Sequence, residues 1–130
     1  MFKVEVNYQV KVKRLPQGLF KNAGRKLVKF LKLKKSFNLS VALVSPQAIR
    51  RLNKKYRGQD QVTDVLSFAK VNEIVICYQQ AKKQAQERRQ TVQKEMSFLF
   101  IHGFLHLLGY DDRTASGASK MNEITRRVTE

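Results

Sequence analysis

The chain has 130 residues, 42% of which are hydrophobic, and its formal net charge is +16 at pH 7. This length predicts a single domain over residues 1–130 with one hydrophobic core, and the composition excludes a wholly disordered chain. No apolar run approaches the roughly 20 residues of a transmembrane helix, the first residues lack the apolar core of a secretory signal, and Cys77 is the only cysteine, so a cytoplasmic location is expected.

The first half of the chain alternates predicted strands and helices. Apolar residues at every second position predict a strand over 2–12, and helical spacing predicts an amphipathic helix over 17–32. A second strand is expected over Phe37–Val44. Ser45 and Pro46 then form a favourable helix start, with a hydroxyl N-cap and a proline at the first helical position. This helix is expected to run to about Tyr56.

The second half predicts an α+β fold. Short strands are expected over 65–68 and 74–77, and a polar helix from Gln79 to about 90. Thr91 can cap the next helix, which is apolar nearly all round and should therefore be buried at the centre. A last helix is expected from about Ser116 through Val128. Because strands and helices are mixed without strict alternation, we expect a single mixed β-sheet packed with helices, including a metal-bearing central helix.

Positive charge is concentrated near the start of the chain. Residues 1–35 contain one acidic residue, Glu5, and eleven basic ones: Lys3, Lys11, Lys13, Arg14, Lys21, Arg25, Lys26, Lys29, Lys32, Lys34 and Lys35. This excess predicts a polyanionic partner, and RNA is favoured over a membrane because no segment joins a wide apolar face to a basic one beyond what a helix packed on the core needs. The alternative is a generally lysine-rich chain with a solvated basic surface.

The only two histidines, His102 and His106, are four residues apart. On a helix this spacing places both imidazoles on one face, where they can bind one cation. Gly109 can end the helix, and Asp112 then follows His106 at the spacing of a third ligand. We therefore predict a three-ligand metal site with an open position for water, with Asp111 as the alternative carboxylate. The competing interpretation is a pair of buried core histidines.

The histidine pattern differs from that of a zinc peptidase. In the H-E-x-x-H motif the glutamate is the general base, and Gly103 occupies that position here. A peptidase is therefore disfavoured. A glycine at this position either leaves room for a bulky substrate or allows close packing of the backbone.

Four segments resemble the YbeY endoribonucleases. The chain reads H-G-F-L-H-L-L-G-Y-D-D over 102–112, where the family pattern is H-G-x-L-H-L-x-G-Y-D-H. It also reads T-D-V-L-S-F over 63–68, L-N-K-K-Y-R-G over 52–58 and E-I-V-I-C over 73–77, which is similar to the family's G-D-I-x-I-C. The resemblance extends from about Ala48 to Met121, whereas the N-terminal strand-helix-strand region carries no such motif.

The resemblance implies a zincin-like, YbeY-like fold and a metal-dependent, single-strand-specific endoribonuclease. Such an enzyme acts in ribosomal RNA maturation, including the 3′ end of 16S rRNA, and in ribosome quality control. Its implied partners are single-stranded RNA, the ribosome and ribosomal proteins. One Zn²⁺ per chain would be held by His102, His106 and Asp112, and Arg57 would act with the two histidines in catalysis.

The third ligand departs from the family pattern, because position 112 is Asp rather than His. A carboxylate is an acceptable zinc ligand, but its charge can shift the preference toward harder metals such as Mn²⁺.

Several neighbouring residues have two interpretations each. Thr63, Asp64 and Ser67 frame the cleft or are strand-edge and turn residues. Tyr110 is expected to pack rather than to stack on a ligand. Lys54 and Lys55 steer phosphate groups or are simply solvated.

Two other classes of function are compatible with the sequence. One is a non-catalytic ribosome-assembly factor that binds rRNA and holds a structural metal. The other is a metallohydrolase of substrates other than nucleic acids, which the absent glutamate and the basic surface disfavour.

Overall fold

The computed structural model describes residues 1–13 and 15–130, so Arg14, one of the basic residues counted above, lies outside the described residues. Its elements are, in chain order, β1 (Phe2–Tyr8), α1 (Leu19–Phe30), β2 (Phe37–Val44), α2 (Pro46–Arg57), β3 (Val65–Phe68), a 3-10 turn (Ala69–Val71), β4 (Glu73–Cys77), α3 (Tyr78–Glu87), α4 (Val92–Leu107) and α5 (Ala115–Thr129). No helix in the described part of the chain has the length and apolarity needed to cross a membrane.

The strands form one mixed sheet in the order β1-β2-β4-β3. Strands β1, β2 and β4 are parallel, and β3 runs antiparallel to β4 at one edge. The expected α+β fold with a single mixed sheet is therefore confirmed. The opposite edge of the sheet is β1.

Helices cover both faces of the sheet. The larger core lies between one face and helices α1, α4 and α5, and includes Phe2, Leu27, Phe100, Phe104 and Met121. A smaller core lies on the other face beneath α2. Each fully buried aliphatic or aromatic side chain of this kind contributes about 1.5–3 kcal/mol to folding, so the larger core fixes the position of α4 against the sheet.

Helix α4 is buried nearly all round, as its sequence predicts. The Thr91 hydroxyl caps its start by accepting a hydrogen bond from the Lys94 amide at 3.1 Å. In its first turn the fully buried Glu95 carboxylate accepts hydrogen bonds from the side-chain amides of Gln84, at 3.0 Å, and Gln90, at 2.6 Å. These contacts join the end of α3 to the start of α4.

The bounds of β1 and α1 differ from the sequence-based expectation, and α3 ends at Glu87 rather than at about residue 90. The predicted strand over 2–12 ends at Tyr8, because the last register pair joins Tyr8 to Leu43 and β2 ends one residue later. Helix α1 is shorter than 17–32 at both ends, where Gly18 and Lys32 have positive φ angles. The N-cap Ser45, by contrast, accepts a hydrogen bond from the Ala48 amide as expected, at 3.2 Å.

Candidate metal centre

Three candidate ligands meet at the C-terminal end of α4. The Nε2 atoms of His102 and His106 are 3.3 Å apart, and each lies 3.4 Å from Oδ2 of Asp112. A tetrahedron with bonds of about 2.0–2.1 Å has edges of about 3.3–3.4 Å, whereas an octahedron with the same bonds has edges of about 2.9 Å. The three atoms thus form one face of a tetrahedral site and can hold a metal ion there.

The turn after α4 brings Asp112 back to the histidines. The Gly109 amide donates to the His106 carbonyl and the Tyr110 amide donates to the Leu105 carbonyl, both at 3.0 Å. These two bonds form a Schellman motif, which requires a left-handed residue after the helix, and Gly109 has φ 98°. The expected helix-ending role of Gly109 is confirmed.

The same turn orients one imidazole. Nδ1 of His106 lies 3.1 Å from the Tyr110 carbonyl, so Nδ1–H donates and the Nε2 lone pair points to the site. The Tyr110 side chain packs against the larger core, as expected. Burial lowers the pKa of His102, and the neighbouring His106 adds to this effect. The lowered pKa favours the neutral imidazole of His102, which is the form that binds metal.

Asp111 has a different set of partners. Its carboxylate accepts hydrogen bonds from the Arg113 amide at 2.9 Å and from the Arg113 Nε at 2.8 Å. The hydrogen bond from the Arg113 side chain is the main cause of a lowered pKa of Asp111. The structure therefore brings Asp112, and not the alternative Asp111, to the two histidines.

Gly103 allows α4 to pack closely against the sheet. A Cβ atom at this position would lie 2.8 Å from Cγ2 of Ile74 and 3.1 Å from the Ser67 hydroxyl. The Ser67 hydroxyl donates to the Gly103 carbonyl at 3.0 Å, which ties β3 to α4. Of the two expected uses of this glycine, close packing is the one observed, and a glutamate here would separate the helix from the sheet.

An open cleft of about 960 Å³ leads to the three ligands. It lies between the end of α2, strand β3 and the end of α4. Thr63, Asp64 and Ser67 all line it, as does Arg57. Asp64 also has a local role, because its carboxylate accepts a hydrogen bond from the Val65 amide at 2.7 Å. The predicted site residues therefore share one surface.

The loop that follows Arg57 is held by Asn53. This side chain is 1% exposed, and its Nδ2 donates to the Gln61 carbonyl at 3.0 Å. The Gln59 amide donates to the Asn53 carbonyl at 3.3 Å. The sequence analysis assigned no function to Asn53. The sequence feature that could have indicated its role is a polar residue on the apolar face of an amphipathic helix.

The cleft also has an aromatic wall that the sequence analysis did not identify. Tyr56 is 58% exposed, and its ring packs edge-on against Phe68 with centroids 5.2 Å apart. The ammonium group of Lys55 lies 5.2 Å from the Tyr56 ring centroid. The sequence feature that could have indicated this wall is an aromatic residue, Tyr56, between Lys55 and Arg57.

Known proteins resemble the chain over nearly its whole length. The sequence model of the family described as Endoribonuclease YbeY matches residues 3–130. The protein named Endoribonuclease YbeY from Spiroplasma citri is 35% identical over 86% of this chain and 81% of its own length. The one from Moorella thermoacetica is 42% identical over 64% and 65%, respectively. The solution structure of TM1509 from Thermotoga maritima matches with a TM-score of 0.65 and 32% identity, over 100% of this chain and 87% of that one.

Proposed function

Because the chain belongs to the YbeY endoribonuclease family, we propose that it is a metal-dependent endoribonuclease that cleaves single-stranded RNA in ribosomal RNA maturation. One observation carries the proposal: three metal-ligand atoms, 3.3–3.4 Å apart, share an open cleft with the Arg57 side chain. The family resemblance supports the 3′ end of 16S rRNA as a cleavage region and the ribosome as a partner. The buried free thiol of Cys77 fits a reducing cytoplasm.

His102, His106 and Asp112 would hold one divalent metal ion. Two imidazole nitrogens, one carboxylate oxygen and tetrahedral spacing suit Zn²⁺, and the carboxylate also makes Mn²⁺ acceptable. When bound, such an ion supplies Lewis-acid polarisation of a phosphoryl oxygen or of water.

Arg57 would bind the phosphodiester. A guanidinium group can donate two parallel hydrogen bonds to phosphate oxygens and stabilise negative charge that develops at phosphorus. The hydrogen bonds of Asn53 hold the adjacent loop against α2 and so restrain the backbone that follows Arg57. This preorganisation is what positioning of a scissile group requires.

The aromatic wall favours an RNA substrate whose bases are unpaired. A nucleobase stacked on an exposed aromatic ring gains about 1–3 kcal/mol, and it must first leave any duplex. The exposed Tyr56 ring, backed by Phe68, offers such a surface beside Arg57. The cleft therefore favours single-stranded RNA.

The site argues against a purely structural metal. Structural zinc sites are closed by four protein ligands, whereas catalytic sites have three and an open position. Here three donor groups are brought together, and the cleft reaches them from solvent. The non-catalytic assembly factor is therefore not favoured.

Cleavage of a single-stranded oligoribonucleotide tests the proposal. We expect cleavage by the metal-loaded wild type, and losses of at least about 100-fold in His106→Ala and Arg57→Ala. Arg51→Ala is the matched control, because Arg51 is exposed on the same helix as Arg57 and does not line the cleft. A chelator should abolish cleavage by the wild type. Equal rates for all variants, or RNA binding without cleavage by the metal-loaded wild type, would contradict the proposal.

A further inference from the structure

A second opening lies at the other edge of the sheet. It is a groove of about 540 Å³ between the end of α1 and the starts of β1 and β2. We call it the basic groove, and define it by its five cationic lining residues, which are Arg25, Lys29, Lys32, Lys34 and Lys35. Its remaining lining residues are apolar.

The charges of the basic groove are not neutralised by neighbouring acids. All five cationic side chains are exposed, and the lining includes no acidic residue. The salt bridges among the residues that the structure describes join pairs later in the chain, such as Arg50 with Asp60 and Arg113 with Asp111. Five like charges on one surface repel each other, so an anion that binds among them is stabilised.

The turn that brings these cations together has a backbone conformation that is unfavourable for lysine. Helix α1 ends in a turn in which Lys32 has φ 55° and the Leu33 amide donates to the Val28 carbonyl at 3.0 Å. This left-handed position normally favours glycine or asparagine. The turn places residues 32–35 beside the cations of α1. A lysine at this position, where glycine is usual, adds one more positive charge to the edge of the groove.

The apolar floor of the groove packs against α4. Phe2 stacks on Phe104 with ring centroids 5.5 Å apart, and Phe37 meets Phe104 edge-on at 5.3 Å. Phe104 lies two residues from each of the histidines, and is therefore on the opposite face of the helix. The basic groove and the metal centre thus occupy opposite sides of one buried helix.

The two openings lie near the same end of the sheet. Phe2 and Phe37 begin the parallel strands β1 and β2, and Phe68 ends the antiparallel strand β3 beside Glu73, where β4 begins. Edge strands that are three spacings of about 4.8 Å apart are separated by about 14 Å. A single strand of several nucleotides can therefore reach from the cleft to the groove.

We infer that the basic groove binds the phosphate backbone of the substrate RNA away from the cut, as a second contact that is independent of base sequence. The inference rests on the proposed function because it takes the bound polyanion to be the substrate strand. Lysine and arginine contacts to phosphate release counterions and carry little sequence information. Short RNAs occupy the cleft alone, whereas longer ones occupy both openings.

RNAs of different lengths distinguish binding in the basic groove from binding in the cleft. We would combine Lys29→Gln, Lys32→Gln and Lys34→Gln, and measure KM and kcat on single-stranded RNAs of about 5 and about 25 nucleotides. The expected result is a KM at least about fivefold higher for the long RNA, with both constants unchanged for the short one. The logarithm of the binding constant for the long RNA falls linearly with the logarithm of the salt concentration. The steepness of this salt slope should decrease by about 2, since each of the three lost phosphate contacts contributes about 0.7.

The matched control removes three charges elsewhere, by Lys82→Gln, Lys83→Gln and Lys94→Gln, at exposed positions outside both openings. Losses that are equal in the two variants, or equal for the two RNAs, would overturn the inference. Fluorescence anisotropy with the same RNAs needs no cleavage. If the wild type does not cut, the proposed function fails, and length-dependent binding still decides whether the basic groove binds RNA.

Discussion

The carboxylate of Asp112 is the feature that distinguishes the candidate metal centre from the family pattern. It lies 3.4 Å from both imidazoles, at the position where the family pattern has a third histidine. A site with two nitrogens and one anionic oxygen is harder than one with three nitrogens, so it accepts Mn²⁺ more readily beside Zn²⁺. The adjacent Asp111 cannot replace it in the observed geometry, because Arg113 holds that carboxylate.

Substitution of the two aspartates should separate their roles. We expect Asp112→Ala to lose nearly all bound metal after dialysis, because only two ligands remain. Asp111→Ala should keep about one ion per chain. Asp112→His should also keep the ion, with a stronger preference for zinc over manganese. Elemental analysis measures all three proteins, and metal content in Asp112→Ala equal to that of the wild type would show that Asp112 is not a ligand.

Removal of the Tyr56 ring tests base stacking in the cleft. Tyr56→Ala should raise KM for single-stranded RNA about 5- to 150-fold, which corresponds to a stacking energy of about 1–3 kcal/mol. Tyr56→Phe keeps the ring and should stay near wild type. Because no charge is removed, the dependence of binding on salt should not change. A reduced salt slope, or equal defects in both variants, would argue against stacking.

At the scale of elements, local signals in the sequence account for most of the fold. Hydroxyl caps at Ser45 and Thr91 and the glycine turn at Gly109 each occur as predicted. The end of β1 could not be predicted, because it depends on where its neighbour β2 ends rather than on its own alternating pattern. The position of Asp112 was predictable from spacing, whereas the loop contact of Asn53 depends on a tertiary turn.

Gly103 shows how packing between elements limits which residue can occupy a position. Gly103→Ala should destabilise the fold by about 1–3 kcal/mol, although alanine is the better helix former, because its Cβ would lie 2.8 Å from Ile74 Cγ2. Urea unfolding measures the change. Ser119→Ala on the exposed side of α5 is the control and should stay within about 0.5 kcal/mol. A neutral or stabilising Gly103→Ala would mean that α4 is not held closely against β4.

Across the whole molecule, one helix connects the two surfaces that we assign to RNA. Helix α4 presents its histidines to the cleft and packs Phe104 beneath the basic groove. Residues 1–35 carry eleven of the 26 basic residues and one of the ten acidic ones. The excess positive charge is therefore greatest at the end of the sequence that forms the groove. The cleft, by contrast, is lined by four acidic residues, Asp64, Glu73, Asp111 and Asp112.

The metal should also stabilise the whole fold. The proposed ligands come from two segments, α4 and the turn before α5, and only the folded chain brings them within 3.4 Å. Zinc at about 100 times its dissociation constant should raise the free energy of unfolding by about 2.7 kcal/mol, which for a chain of this size is an increase in Tm of about 10 °C. Thermal unfolding of chelator-treated and reloaded protein measures the shift. Asp112→Ala should shift by less than about 2 °C, and an equal shift in both proteins would place the stabilising metal elsewhere.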